Sequence, residues 1–276
     1  MKTAVITGAS DGIGKEAARA LAKSGWQLAI VGRNPDKTAQ VAKELGAVPY
    51  AMDFASLQNV KALSERLSGD YACIDLLINN AGGIFKRQPP TVDGFEITFQ
   101  VNHLAPFLLT KLLLPKLIES KAAVITTASI AHCNAGMFFD LDRVEKNGEY
   151  SPYMAYGNSK LANILMTREL DRRYRELGVK AACFHPGVVS TSFAKAKGSP
   201  MGLMYNTFLR KLFFMKTPQE GADTLIWLAE GEPYQDWQPG GYYANRKPAG
   251  ISRKAQNQDL ALALWEKSEA LCAPYL

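Results

Sequence analysis

The chain has 276 residues, 47% of them hydrophobic, which is enough to bury one sizeable core, and we predict a single domain over residues 1–276. The formal net charge is +6, but the densest cationic run, residues 168–175, is interleaved with acidic side chains as on a solvated helix face, so nucleic acid is not an expected partner. The four cysteines show no close spacing, which argues against a zinc site and a disulfide framework and fits a reducing compartment.

Short apolar runs alternate with helical patterns along the chain. Strands are predicted at residues 3–7, 28–31, 48–52, 74–78, 122–127, 179–184 and 240–244. Helices are predicted at 15–24, 37–45, 57–67, 95–119, 153–177, 218–230 and 252–276. Most of the strand runs are continuously hydrophobic, as in strands that are buried on both faces. The pattern therefore predicts an α/β fold, with a doubly wound, mostly parallel sheet of about seven strands and helices on both faces.

Residues 190–218 differ from this alternation. The segment begins with small and polar residues and then carries Tyr205, Phe208, Phe213 and Phe214 among basic side chains. It can be interpreted as a substrate lid, as a helix that touches a membrane surface, or as an additional core helix. The lid is the favoured interpretation, because long insertions outside regular structure are often functional.

The first predicted strand runs into the sequence TGASDGIG, which begins at Thr7, and a helix opens directly after it. Glycines in that position let the backbone approach a pyrophosphate, whose charge is met by free N–H groups at the helix N-terminus. The alternative is an ordinary tight turn, but the strand-turn-helix context favours a Rossmann-type dinucleotide site. The expected cofactor contacts in this loop are Gly8, Ser10, Asp11, Gly12, Ile13 and Gly14.

The end of the second strand bears on which dinucleotide is bound. An acidic residue there usually binds the ribose hydroxyls of NAD, whereas an arginine accommodates the 2′-phosphate of NADP. Arg33 and Asn34 stand at this point, with Lys37 as a second cationic contact. Asp36 lies close in sequence and weakens the inference. We predict NADP over NAD.

Tyr156 is followed four residues later by Lys160, near the start of a predicted helix, so the two side chains share one face. A free phenol titrates near pH 10, which is too high for proton transfer at neutral pH. An ammonium group about 4–5 Å away contributes roughly 3–4 kcal/mol at an effective dielectric near 20, before desolvation opposes it. Lys160 could therefore make Tyr156 a usable acid and base. The strand 122–127 is followed by Ser129, which could donate a hydrogen bond to a substrate carbonyl.

Several motifs in order along the chain resemble those of the classical short-chain dehydrogenase/reductase family, and within it the retinol-dehydrogenase-like members. The matching residues are TGASDGIG from Thr7, NNAG from Asn79, Asn102 within VNHLAPFLLT, Ser129, Tyr156 with Lys160, and HPG from His185 followed by Thr191. The spacing of 27 residues between Ser129 and Tyr156 is longer than in many classical members and is similar to the retinol-dehydrogenase-like group.

This resemblance implies that Tyr156 is the proton donor or acceptor, that Ser129 orients the carbonyl, and that Lys160 also binds the nicotinamide ribose. It implies that Asn102 holds a water molecule of the proton relay. Further cofactor contacts are implied for Asp53, Asn80, Ala81, Gly82, Pro186, Gly187, Val188 and Thr191. Asp53 and Asn80 also have ordinary interpretations, as a helix cap and a turn residue.

The predicted function is an NADP(H)-dependent oxidoreductase that interconverts a carbonyl and an alcohol. Aromatic side chains in residues 190–218 and the residues Met137, Phe138 and Phe139 indicate an apolar or aromatic substrate. A silent NADP-binding sensor or scaffold is the main alternative. A sugar-nucleotide epimerase or dehydratase is less consistent with the sequence, because such enzymes have a different glycine spacing. An enoyl reductase is less consistent because its tyrosine and lysine are normally further apart.

We expect a cytoplasmic protein without stable membrane insertion. The predicted strand at Thr3 leaves no room for a secretion signal, and the apolar stretch 104–118 is interrupted by Lys111 and Lys116 and is expected to be too short to span a bilayer. His103, His132 and His185 lack ligand spacing, so no metal is predicted. The resemblance leaves open a homodimer through the helices at 95–119 and 153–177.

Overall fold

A computed structural model describes residues 1–135, 139–189 and 216–276 of the chain. These residues contain eight strands of one sheet: β1 (Thr3–Thr7), β2 (Gln27–Gly32), β3 (Val48–Ala51), β4 (Leu76–Asn79), β5 (Ala123–Thr127), β6 (Lys180–Phe184), β7 (Tyr242–Ala244) and β8 (Lys247–Pro248). Their order is β3-β2-β1-β4-β5-β6-β7-β8, and neighbours are parallel except for the antiparallel pair β7 and β8. The predicted fold class is confirmed. The two residues of β8 are too few to produce an alternation pattern that sequence reasoning could detect.

Each of the seven predicted helices has a helical counterpart in the described residues, where 95–119 and 252–276 are divided into shorter elements and a short helix at His132–Ala135 was not predicted. The observed α-helices are α1 (Gly12–Lys23), α2 (Pro35–Leu45), α3 (Leu57–Asp70), α4 (Ile97–Phe99), α5 (Ala105–Glu119), α6 (His132–Ala135), α7 (Pro152–Tyr174), α8 (Pro218–Glu230), α9 (Arg253–Gln256) and α10 (Gln258–Cys272). Helices α1 and α2 begin earlier than predicted, because Asp11 and Asn34 cap them through their side chains.

Two apolar cores lie on opposite faces of the sheet. Val5 and Leu77 pack into one core, with residues of α3, α5, α7 and α10. Ile6 and Ile78 pack into the other core, with residues of α1, α2 and α8. Because adjacent strand residues point to opposite faces, burial on both faces explains why the strands are continuously hydrophobic in sequence.

The predicted helix at 95–119 contains a π-helical segment, Gln100–Leu104, between α4 and α5. By length and composition alone, the helical run Ile97–Glu119 could cross a membrane, and 89% of its apolar window is buried inside the protein. This run is longer than the apolar stretch 104–118 considered in the sequence, because α4 and the π segment extend it at its N-terminal end. Its burial assigns it to the core of the described structure.

Helix α10 packs against α5 and α7, the helices that the family resemblance offers for a homodimer contact. The ring of Trp265 in α10 meets the ring of Phe107 in α5 edge-on, with centroids 4.9 Å apart. The Arg173 guanidinium of α7 lies 5.1 Å from the centroid of the Trp265 ring. Lys111 and Glu269 form an ion pair at 2.7 Å. These contacts use part of the outer surface of both helices within the same chain.

Candidate active site

The strands β1, β4, β5 and β6 end at one cleft of about 410 Å³. The cleft lies where the strand order reverses, between β1 and β4, which is the usual ligand position in a doubly wound sheet. Its wall comprises Gly8, Asp11, Gly12, Ile13, residues 80–84, 127–131 and 185–189, and Tyr153, Tyr156 and Lys160 of α7. Most of the predicted cofactor and catalytic residues that the structure describes are thus brought together.

The loop from β1 to α1 is close-packed at its glycines. Gly8 has a φ of 66°, and a Cβ added there would lie 2.8 Å from the Ala81 Cα. A Cβ on Gly14 would lie 2.5 Å from both the Gly8 carbonyl oxygen and the Asn80 Nδ2. Gly12 and Ile13, in the first turn of α1, line the cleft. The main chain there offers what a pyrophosphate needs, namely the amide groups of a helix N-terminus at the cleft.

Asp11 is the N-cap of α1 and accepts a hydrogen bond from the Gly12 amide at 2.7 Å. Its other carboxylate oxygen lies 3.8 Å from the Lys37 Nζ. Both side chains are more than half exposed. An acidic residue at this point lowers the local positive potential that Lys37 supplies.

Asn80 connects the ends of three strands. Its Nδ2 donates to the carbonyl oxygens of Thr7 at 3.0 Å and Gly8 at 3.3 Å, and its Oδ1 accepts from the Thr127 hydroxyl at 3.2 Å. The Thr7 hydroxyl accepts from the amides of Asn80 and Ala81, each at 3.0 Å. Asn80 therefore shapes the glycine loop in addition to lining the cleft.

Lys160 is 3% exposed, and its Nζ lies 5.5 Å from the centroid of the Tyr156 ring. The ammonium donates to the Thr127 carbonyl at 2.8 Å, and the Asn163 amide donates to the same oxygen at 3.2 Å. Burial lowers the pKa of Lys160 from 10.5 to about 8. The cleft thus holds a cation beside a phenol in surroundings that strengthen its electric field.

Asn102 lies in the π segment, behind the cleft wall. Its Nδ2 donates to the Gly83 carbonyl at 2.9 Å and to the Ser159 hydroxyl at 3.0 Å, and its Oδ1 accepts from the Gly83 amide at 2.8 Å. Ser159 in turn donates to the Tyr156 carbonyl at 2.8 Å. Asn102 is thereby hydrogen-bonded to the loop after β4 and, through Ser159, to the helix turn that carries Tyr156. The expected water contact remains a prediction.

Ser129 lies in the turn that follows β5 and lines the cleft. Its hydroxyl oxygen accepts a hydrogen bond from the Ala131 amide at 3.2 Å. Because the oxygen is an acceptor in this bond, the hydroxyl hydrogen is available to a carbonyl oxygen in the cleft.

The predicted adenosine contacts lie beyond the cleft wall. Arg33, Asn34 and Lys37 are exposed at the carboxyl end of β2, where Gly32 packs against the Ser10 side chain. The Asn34 side chain accepts from the Lys37 amide at 2.9 Å. Asp53 accepts from the Ala55 amide at 3.0 Å, and the N-cap of α3 is Ser56, so Asp53 does not have the helix-cap role that was its alternative. Its adenine contact stays a prediction.

Some predictions fall outside the described residues: the Thr191 contact, the side chains of Met137 and Phe138, and nearly all of the proposed lid at 190–218. Phe139 is described and buried.

Sequence reasoning missed several cleft residues, chiefly Tyr153, Ile84, Ile130 and His185. Tyr153 precedes Tyr156 by three residues on α7, so helical spacing could have identified it. Ile130 directly follows Ser129, and only the path of the turn places it on the wall. Within residues 1–135, 139–189 and 216–276, no group of three or more histidine, cysteine or acidic residues could hold a metal ion. The absence of a metal stays a prediction.

Comparison with known proteins gives the family. The model of the short chain dehydrogenase family matches residues 2–141. A Streptomyces sp. (strain C5) protein provisionally named daunorubicin C-13 ketoreductase DnrU is 40% identical over 278 residues, covering 98% of this chain and 92% of that protein. The chain belongs to the short-chain dehydrogenase/reductase family. Retinol dehydrogenase 12 of Mus musculus is 38% identical over 278 residues, covering 97% of this chain and 85% of that protein.

Among solved structures, an uncharacterised Mycobacterium paratuberculosis protein has a TM-score of 0.77 and 30% identity, covering 99% of this chain and 94% of that one. These relatives confirm the resemblance to the retinol-dehydrogenase-like subgroup. The chain is an oxidoreductase of this family that acts on CH–OH or carbonyl groups, and the family uses NAD(P) cofactors.

Proposed function

We propose that this short-chain dehydrogenase/reductase is a cytoplasmic, NADP(H)-dependent enzyme that interconverts an apolar or aromatic carbonyl compound and its alcohol. The observation that carries the proposal is the cleft, which places Ser129, Tyr156 and Lys160 beside the glycine loop of α1. A proton donor, a cation and a dinucleotide-binding loop at one site are what carbonyl reduction requires.

When bound, NADPH supplies the hydride. In reduction, the Tyr156 phenol gives its proton to the carbonyl oxygen as negative charge develops there. The Ser129 hydroxyl donates a hydrogen bond to the same oxygen and orients it. Lys160 favours the resulting phenolate through its positive charge, which acts at close range in a buried position.

The preference for NADP rests on the exposed cations Arg33 and Lys37 at the end of β2. Arg33 directly follows Gly32, which packs on Ser10 of the glycine loop, so its side chain starts close to the expected ribose position. Asp11 opposes this preference through its proximity to Lys37.

The cofactor proposal is tested by Arg33→Ala and Asp11→Asn, since asparagine keeps the helix cap without the charge. We expect Arg33→Ala to reduce the ratio of kcat/KM for NADPH to that for NADH by about tenfold or more, and Asp11→Asn to raise it severalfold. A wild-type enzyme that prefers NADH would contradict the proposal, whatever the variants do.

The substrate proposal rests on the apolar side chains around the cleft mouth. Ile130, Val188 and Tyr153 are 52%, 45% and 47% exposed and line the cleft together with Ile84. Large apolar side chains that remain exposed in a cleft favour an apolar ligand, which would remove them from water.

The main experiment is NADPH oxidation against a panel of aliphatic, aromatic and steroid-like carbonyls, with small charged carbonyls for comparison. The Tyr156→Phe variant should lose turnover, whereas the control Tyr234→Phe, which changes an exposed tyrosine outside the cleft, should keep it. Tight NADPH binding without turnover on any substrate would favour the sensor or scaffold. Turnover restricted to small charged carbonyls would exclude the apolar substrate.

A further inference from the structure

A buried histidine lies directly behind Ser129. His132, the first residue of α6, is fully buried, and its Nδ1 lies 2.7 Å from the Ser129 carbonyl oxygen. The backbone amide of His132 also donates to that oxygen, at 3.2 Å. Ser129 is therefore held on both sides: its hydroxyl accepts from Ala131, and its carbonyl accepts twice from His132.

The partners of the imidazole fix its tautomer. The Ser252 backbone amide lies 3.2 Å from Nε2 and can only donate, so Nε2 is the acceptor. The Ser129 carbonyl can only accept, so the ring hydrogen is on Nδ1. The Cys133 thiol, 3.5 Å from Nε2, is a second group able to donate to it. Burial lowers the pKa of His132 and keeps the ring neutral, as this pattern requires.

Two segments far along the chain hold the ring in place. The Tyr242 ring of β7 meets it edge-on, with centroids 5.3 Å apart. Ser252, which supplies the amide to Nε2, is the N-cap of α9, so its backbone position is set by that helix. The imidazole thus connects the β5 turn to the C-terminal part of the sheet and to α9.

We infer that His132 is a positioning residue for Ser129, and that its bridge between the Ser129 carbonyl and the Ser252 amide fixes the orientation of the Ser129 hydroxyl in the cleft. The inference rests on the proposed function. The Ser129 hydroxyl can orient a substrate carbonyl only when the Ser129 peptide unit is itself held in place. The His132 imidazole contributes to this by donating to the Ser129 carbonyl oxygen. Apart from the imidazole, two hydrogen bonds hold the turn of residues 129–132: the His132 amide donates to the Ser129 carbonyl, and the Ala131 amide donates to the Ser129 hydroxyl.

The kinetic test compares His132→Ala, His132→Asn and the control Tyr242→Phe. Removing the imidazole should lower kcat by about 10- to 100-fold, because small displacements of an orienting group have effects of this size. The Kd for NADPH should stay within about twofold, since His132 is not in the cleft wall. Asparagine can place an N–H near the position of Nδ1 and should restore most of kcat. Tyr242→Phe should leave kcat unchanged, because the buried Tyr242 hydroxyl has no hydrogen-bond partner in the described residues.

Equal loss of kcat in His132→Ala and His132→Asn, or a loss of NADPH binding in parallel with kcat, would show a merely structural role and overturn the inference. Two NMR measurements need no turnover. Nitrogen chemical shifts of the wild-type imidazole should show the neutral Nδ1–H form, and hydrogen exchange of the Ala131 and Ser252 amides should accelerate in His132→Ala. An Nε2–H tautomer, or unchanged exchange, would overturn the inference.

A wild-type enzyme without turnover would contradict the proposed function alone. The NMR results would then decide whether His132 holds the Ser129 turn.

Discussion

The two ends of the cleft are built from different parts of the chain. At the cofactor end, the main chain of the glycine loop forms the surface, and Gly8 and Gly14 leave no room for a Cβ. At the catalytic end, the surface depends on buried polar side chains, among them Lys160, with Asn102 and His132 behind them. The first end needs the absence of side chains, and the second needs particular side chains held by partners from distant segments. The same kind of mutation should therefore have different consequences at the two ends.

The largest effect is expected from Gly14→Ala at the cofactor end. The new Cβ would lie 2.5 Å from the Gly8 carbonyl oxygen and from the Asn80 amide, so the loop and the strand ends that Asn80 connects must move apart. We expect the affinity for NADPH, measured by fluorescence titration, to fall by about 100-fold or more, with a lower melting temperature.

Gly69→Ala is the matched control. Gly69 lies in α3, and a Cβ there would meet nothing within 4 Å. This variant should bind NADPH like the wild type and be more stable by about 0.5–1 kcal/mol, because alanine suits a helix better than glycine. Wild-type affinity in Gly14→Ala would refute the close packing of the cofactor end.

A change at the catalytic end should separate activity from stability. Lys160→Met removes a buried ammonium, and Asn163 continues to donate to the Thr127 carbonyl that Lys160 contacts. We expect turnover to be lost, while the cofactor-free variant unfolds with a free energy about 1–3 kcal/mol higher than the wild type at pH 7.

The difference in unfolding free energy between the wild type and Lys160→Met should depend on pH. Since the folded-state pKa of Lys160, about 8, lies below the ordinary value of 10.5, the unfolded chain binds more protons between these values. Wild-type stability therefore rises with pH through this window, relative to Lys160→Met. The advantage of the variant should be full below pH 8 and disappear above about 10.5, as urea unfolding at several pH values would show. A constant or growing difference would contradict the lowered pKa.

The difference between the two ends of the cleft also explains which features the sequence could predict. Strands β1 and β2 and the glycine loop follow from local patterns, because apolar runs and glycine spacing act over a few residues. Tyr156 and Lys160 were found because they are one helical turn apart. The bridge from Ser129 through His132 to Ser252 includes a hydrogen bond between residues 120 positions apart, His132 and Ser252, and therefore has no local pattern. The π segment at Gln100–Leu104 also lacks a signal, since its apolar residues are compatible with a regular α-helix.

The smallest effect is expected at the exposed rim of the catalytic end, where the Asn134 amide donates to the Tyr153 hydroxyl at 3.0 Å. Asn134→Ala removes this bond and leaves Tyr153 free to change rotamer across the cleft mouth. Because an exposed hydrogen bond contributes about 0.5–1 kcal/mol, KM for an aromatic carbonyl should rise by about two- to fivefold, with kcat unchanged. Asn134→Asp is the control: its carboxylate can accept from the Tyr153 hydroxyl and should keep KM near the wild-type value. A fall in kcat in Asn134→Ala would instead connect this rim to the chemical step, and the catalytic end would then extend from the buried side chains to the cleft mouth.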